Sequence, residues 1–328
     1  MAEDKFNSNE ATLSVDLSEA TQAVKENRFG EAIELFEIIL TNHPDNIDSL
    51  YLASVSSRYL KQFDDSKKYI ERLLLNAPDM GRAYQELGHI FRDMGDESQA
   101  VVHYRQACEL NPALLASWNS LYKYFVKNKN QPAAEHAREQ IEKLQSLPSA
   151  LLYIDQIMNE GRLGLAETKC RAFLKQNPTH TYAMSLLSEI ANRLGYFDDA
   201  EFLLEKAVEF KPNDGDLRMK YATILRKKQK FAKTMEQVNI LCDQFPDNHT
   251  YQAQKASEIM QNGEHEEAIK LLDNILQKNP YNFSTHTSKG HAQKTLGKTD
   301  NAIKSYQSAY QIKPVSYTHL TLPTRAVV

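Results

Sequence analysis

Residues 84–112 read YQELGHIFRDMGDESQAVVHYRQACELNP, and this stretch decides the fold. Tyr84, Leu87, Gly88 and Phe91 fall at i, i+3, i+4 and i+7, the apolar face of a first helix. Gly95 follows where a helix end needs a left-handed residue. Ala100, Tyr104 and Ala107 then form the face of a second helix. Pro112 stands where that helix must stop, because proline cannot continue one. Two amphipathic helices joined by so few residues must be antiparallel neighbours.

The segment recurs along the chain. Pro44, Pro78 and Pro112 are 34 residues apart, and Pro178, Pro212, Pro246, Pro280 and Pro314 keep the same interval. Eight of the 11 prolines share this ruler, so a helix is expected to stop once per 34 residues. With the proline at position 32, nine units start at residues 13, 47, 81, 115, 147, 181, 215, 249 and 283. Position 20 is Ala32, Ser66, Ala100, Ala134, Ala166, Ala200, Thr234, Ala268 and Ala302, small each time, as a tight helix crossing needs. Position 27 is apolar from Ile39 to Ala309, and position 24 completes the stripe except at Arg138. One helix pair cannot bury its stripe alone, so each unit is expected to lean on its neighbours. Unit 4 is two residues short, with Pro148 displaced and bulky Tyr122 and Ile154 at position 8 of units 4 and 5. This predicts a changed helix crossing near residues 122–155.

The composition agrees. Only 11 of 328 residues are glycine, 41% are hydrophobic and 25% charged, which suits a mostly helical globular chain and excludes collagen-like and disordered classes. Lys and Arg number 39 against 43 Asp and Glu, a net charge of −4, so bulk nucleic-acid affinity is not indicated. Residues 1–12 lack an apolar signal core and read as a disordered N-terminus, which makes the cytoplasm the default compartment. Cys108, Cys170 and Cys242 lie far apart, giving neither a disulfide framework nor a zinc site and fitting a reducing compartment.

The 34-residue pattern resembles the tetratricopeptide repeat family over residues 13–314. The resemblance implies an all-α, right-handed superhelical solenoid of about nine helix-turn-helix units, binding proteins rather than catalysing. The strings YQELGHIFRDMG, RQACELNPALLASW, LGYFDDAEFLLEKAV, RKKQKFAKTMEQ and TSKGHAQKTLGK more narrowly resemble the N-terminal repeat half of bacterial tetratricopeptide-repeat sulfotransferases. That likeness implies a parent enzyme using phosphoadenosine phosphosulfate. Its Pro-Arg-Ser-Gly-Thr-type phosphosulfate loop is absent from these residues, so no catalytic or cofactor-binding position is carried over. Residues 315–328 begin VSYTHLTLPT, which resembles the conceptual translation of a sequencing adapter, and are read as a non-native tail on a truncated chain.

Other chemistry is weak. Gly297-Lys298-Thr299 lacks the glycine spacing and preceding strand of a phosphate loop. His265-Glu266-Glu267 has Ile269 where a second zinc histidine belongs. The cysteines and Trp118 read as packing residues, and the run Arg226-Lys227-Lys228-Gln229-Lys230 as a solvated helix end.

The functional surface is the inner face of the first helices. With positions 4, 7, 8 and 11 in the core, positions 2, 5, 9, 12 and 13 point to the concave side. They place Lys25, Arg58, Arg82, Arg92, Lys123, Lys127, Arg193, Arg226, Lys227 and Lys294 there, with His89 at position 9. The acids at these positions are Asp48, Asp93, Asp155, Glu189 and Asp216, an excess of five cations on a chain of net charge −4. The expected partner is an extended acidic polypeptide steered by charge, with no metal, membrane or nucleic acid. A free-standing scaffold and the repeat half of a glycosyltransferase are the alternatives.

Overall fold

The computed structural model describes residues 17–313, and among them every regular element is α-helical. Helix α1 covers residues 17–25, followed by α2 (Phe29–Asn42), α3 (Ile47–Tyr59), α4 (Phe63–Asn76), α5 (Gly81–Asp93), α6 (Glu97–Leu110), α7 (Leu115–Lys127), α8 (Gln131–Gln145), α9 (Ser149–Asn159) and α10 (Leu163–Gln176). Then come α11 (Thr181–Arg193), α12 (Phe197–Phe210), α13 (Gly215–Lys227), α14 (Phe231–Gln244), α15 (His249–Gln261), α16 (His265–Lys278), α17 (Phe283–Thr295) and α18 (Thr299–Ile312). The chain is an all-α repeat solenoid of helical hairpins that divides into two compact units, residues 1–170 and 171–328. The expectations for residues 1–12 and 315–328 lie outside the described residues.

The prolines do mark the helix ends. The second helix of each regular hairpin ends two residues before its proline, as at Asn42 and Pro44 or Phe210 and Pro212. The turn inside each hairpin is equally regular. Position 15 is left-handed in all nine: Gly95, Gly161, Gly195, Gly263 and Gly297 at φ between 72° and 89°, and Asn27, Lys61, Lys129 and Gln229 at φ between 56° and 62°. The next N–H reaches back five residues, as from Asp96 to Phe91 O (2.9 Å) and from Tyr196 to Ala191 O (2.8 Å), satisfying carbonyls the helix end would leave open. Side chains of Asn46, Asp96, Asn130, Asp214, Asn248 and Asn282 cap the following helices by accepting backbone N–H groups of the first turn.

Position 20 is buried in every unit, from Ala32 (0% exposed) to Ala302 (3%). The crossing there is close enough for backbone contact. Ser54 Oγ donates to Ser66 O at 2.9 Å and Ser66 Oγ to Ser54 O at 2.8 Å, joining positions 8 and 20 of one hairpin. Where position 8 is glycine, a large ring takes the space: a Cβ on Gly88 would come within 2.6 Å of Tyr104, and one on Gly290 within 2.6 Å of Tyr306. Arg138, the break in the stripe, is exposed and paired with Glu135.

The short unit differs from the others in the lengths of its elements. Helix α8 runs 15 residues, only Ser146–Pro148 separate it from α9, and α9 has 11 residues where other first helices from α3 onward have 13. Ile154 is buried in α9, and Tyr122 is half-buried.

Two outcomes are expected in thermal or urea melts of the whole chain. Gln229→Gly removes left-handed strain from a side-chain residue and should stabilise by about 0.5–1 kcal/mol, with Gly195→Ala destabilising by a similar amount. Ala200→Arg should destabilise by roughly 1–3 kcal/mol from overpacking, with a buried-charge penalty added.

Candidate functional site

The cations named from sequence are mostly engaged in ion pairs. In the first compact unit, Arg58 Nε lies 2.6 Å from Glu86 Oε1 and its Nη1 3.0 Å from Asp93 Oδ2, linking α3 to α5. The Arg58 guanidinium also sits 4.6 Å over the Tyr59 ring. Burial opposes its charge, yet Glu86 and Asp93 hold its pKa above the usual guanidinium value. Burial raises the Glu86 carboxyl above its ordinary range even with Arg58 beside it. Arg92 binds Asp93 Oδ1 through Nε (2.9 Å) and Nη2 (2.8 Å). Lys127 Nζ bonds Glu97 at 2.7 Å.

Arg82 pairs with Glu160, donating one hydrogen bond from Nη2 to Oε2 at 2.8 Å, with Nε 2.5 Å from Oε1 as an ion-pair contact, and lies over the Tyr51 ring. His89 is not a cation in this setting. Burial, with Arg92 and Arg58 nearby, lowers its pKa to about 4, and its Nδ1 is 2.7 Å from Tyr104 Oη. The same arrangement recurs at His291 and Tyr306, 3.0 Å apart.

The second compact unit has a different character. Arg193 pairs with Glu189 on its own helix at 2.9 Å, and Arg226 with Glu258 across to α15 at 3.2 Å. Lys227 Nζ instead donates to the neutral Asn192 Oδ1 at 2.8 Å. Lys220, two turns earlier on α13, donates to Ser185 Oγ at 2.7 Å. Neither lysine has a carboxylate partner among the described residues. Lys123 and Lys294 are exposed. The remainder of the basic run forms its own cluster: Lys228 pairs with Asp198 and Glu201, and Lys230 with Glu201 at 2.6 Å. Burial opposes ionisation of Glu201, but hydrogen bonds from the two lysines hold its carboxyl below the ordinary value.

These contacts change the charge reading. Six of the ten cations, Arg58, Arg82, Arg92, Lys127, Arg193 and Arg226, close ion pairs. Glu86, Glu97, Glu160 and Glu258 bring four carboxylates from outside positions 2, 5, 9, 12 and 13, so the excess of five falls to one. Two lysines bonded to neutral oxygens, Lys220 and Lys227, share α13. Lys220 was missed because it sits at position 6; its i, i+7 relation to Lys227 was the available signal.

Among the described residues, no group of three or more His, Cys, Asp or Glu could hold a metal ion, and no helix is long and apolar enough to cross a membrane. Gly297 lies at φ 72° in the α17–α18 turn, and Cys108 and Cys170 are buried.

Arg58→Ala should expose the cost of an unpaired buried carboxylate, about 3–5 kcal/mol at neutral pH. Glu86 already binds its proton more readily folded than unfolded, so protonation favours the folded state. The deficit of the variant should therefore shrink as pH falls through the raised Glu86 range, which urea melts from pH 7 to pH 4 would show.

Family and structural comparisons bear on the repeats. The tetratricopeptide repeat model matches residues 81–114, 182–214 and 283–316. Among solved structures, MamA is 17% identical, covering 49% of this chain and 94% of MamA, at a TM-score of 0.44. MamA from Desulfovibrio magneticus RS-1 is 10% identical, covering 52% and 99%, at 0.45. YrrB, described as a TPR protein with an unusual peptide-binding site, is 14% identical, covering 55% and 93%, at 0.43. The chain is thus built of helical hairpins on a 34-residue ruler, and those at 81–114, 182–214 and 283–316 are tetratricopeptide repeats.

Proposed function

We propose that this chain is a protein-interaction module that binds an extended acidic polypeptide along α11 and α13, through Lys220 and Lys227. The observation carrying this reading is that both lysines are bonded only to neutral oxygens, Ser185 Oγ and Asn192 Oδ1, while most other inner cations are already paired. An incoming carboxylate can replace a hydroxyl or amide oxygen with a charge-assisted bond, which is the stronger kind. The lysines are seven residues apart on one helix, roughly 10 Å. A polyproline II chain rises about 3.1 Å per residue with three residues per turn, so acidic side chains three residues apart share one face and would meet both.

The reading extends to the parent protein. The strings that resemble bacterial tetratricopeptide-repeat sulfotransferases support a role as the substrate-recognition part of such an enzyme, in the cytoplasm, with phosphoadenosine phosphosulfate bound elsewhere. A genomic reading frame that runs past codon 314 into a phosphosulfate loop supports that extension. A stop codon or a sugar-nucleotide domain there would retire it.

A fluorescent peptide with glutamate at every third position tests the binding reading. Affinity should fall steeply between about 50 and 500 mM salt as the charges are screened. Lys220→Gln and Lys227→Gln should each weaken binding about tenfold, or ~1.4 kcal/mol. Binding indifferent to salt and to both substitutions would remove the proposal.

A further inference from the structure

Contacts between neighbouring hairpins span about one repeat of sequence: 28 residues for Arg58 and Glu86, 30 for Lys127 and Glu97, 32 for Arg226 and Glu258. A group of contacts in the first compact unit departs from this. Arg82 and Glu160 are 78 residues apart, and Arg162 Nη1 reaches Asp48 Oδ1 at 3.4 Å across 114 residues. Gln156 Nε2 donates to Ala113 O at 3.0 Å, and Asn111 Nδ2 donates to Gln156 O at 3.2 Å. All four bring the C-terminal end of α9 and the α9–α10 turn onto a rim made by the first turns of α3 and α5 and by the α6–α7 turn.

The rim is built to hold this end. The Glu160 side chain is only 3% exposed; its Oε2 accepts from Arg82 Nη2, and its Oε1 lies 2.5 Å from Arg82 Nε as an ion-pair contact. Burial raises the Glu160 carboxyl above its usual range, so its ionised form depends on that guanidinium. Gln156 and Glu160, one helical turn apart, occupy separate partners on the rim. Beneath the bridge lies a cleft of about 430 Å³, lined by Ile47, Pro78 and Met80 on one side and Asn159–Arg162 on the other. Helix α9 follows the shortened fourth unit, whose three-residue turn at Ser146–Pro148 stands where the other hairpins have four residues.

We propose that the end of α9 is an internal occupant of the first unit, an autoinhibitory contact latched by Arg82–Glu160 and Arg162–Asp48. Arg82 is an inner-face cation in the repeat pattern. Its engagement by Glu160 removes from this unit the acidic-peptide site that α11 and α13 keep open. The availability of Arg82 to a polypeptide therefore depends on release of α9. The binding role of the latch rests on the proposed peptide function; the latch itself does not.

Hydrogen exchange on the full chain tests the latch directly. Glu160→Gln and Arg82→Gln should each speed exchange of amides 156–162 at least tenfold, with residues 182–312 unchanged. The double variant should be no faster than either single one, because both break the same pair. Unchanged exchange, additive effects, or acceleration spreading to 182–312 would overturn it. The inhibitory role is read separately, in a chain already carrying Lys220→Gln and Lys227→Gln to weaken the second site. There, adding Glu160→Gln should raise affinity for the glutamate peptide at least tenfold. No gain in that background, in a wild-type chain that does bind the peptide, would overturn the inhibitory role. A wild-type chain that never binds it would instead sink the function proposed above, leaving the exchange result to decide the latch.

Discussion

Everything in this molecule depends on how closely two antiparallel helices can approach at positions 8 and 20. The mutual hydroxyl-to-carbonyl bonds of Ser54 and Ser66 show backbones near contact, and nothing larger than threonine is found at position 20. That approach fixes each hairpin as a thin, rigid slab whose apolar stripe is too wide for one slab to cover. Stacking follows, and with it the display of first-helix side chains on one face. The Gly88–Tyr104 and Gly290–Tyr306 pairs obey the same limit by another route, trading volume between the two helices.

Once slabs stack, charged side chains at the edges of first helices are drawn into the seams. Arg58 with Glu86, and Arg226 with Glu258, place a guanidinium of one hairpin on a carboxylate of the next. Such pairs are weak evidence of stability, because desolvation offsets much of their attraction. They do specify register between slabs: a carboxylate as deeply buried as Glu86 has one acceptable position. Under the proposed function, recognition falls to Lys220 and Lys227 on α13, which bond neutral oxygens.

Much of the fold was legible in the sequence because it repeats. A proline two residues beyond a helix end, a small residue at position 20 and a glycine at position 15 each report a local backbone requirement that needs no knowledge of neighbours. Even so, Asn27, Lys61, Lys129 and Gln229 adopt the glycine conformation, since the capping bonds of the turn outweigh the strain of a side chain there. The candidate site was less legible. A position within the repeat says which way Arg82 points, but not that Glu160 will meet it from 78 residues away. Lys220 was passed over because position 6 was not counted as inner, although its amine reaches the preceding hairpin.

The shortened fourth unit has a consequence of a different kind. A perfect array has translational symmetry, so an elongated ligand could bind it in several frames offset by one repeat. Removing two residues acts like a dislocation in a one-dimensional crystal, giving the lattice an origin. From that origin the hairpins cease to be interchangeable, and each can be assigned its own place along whatever the chain holds.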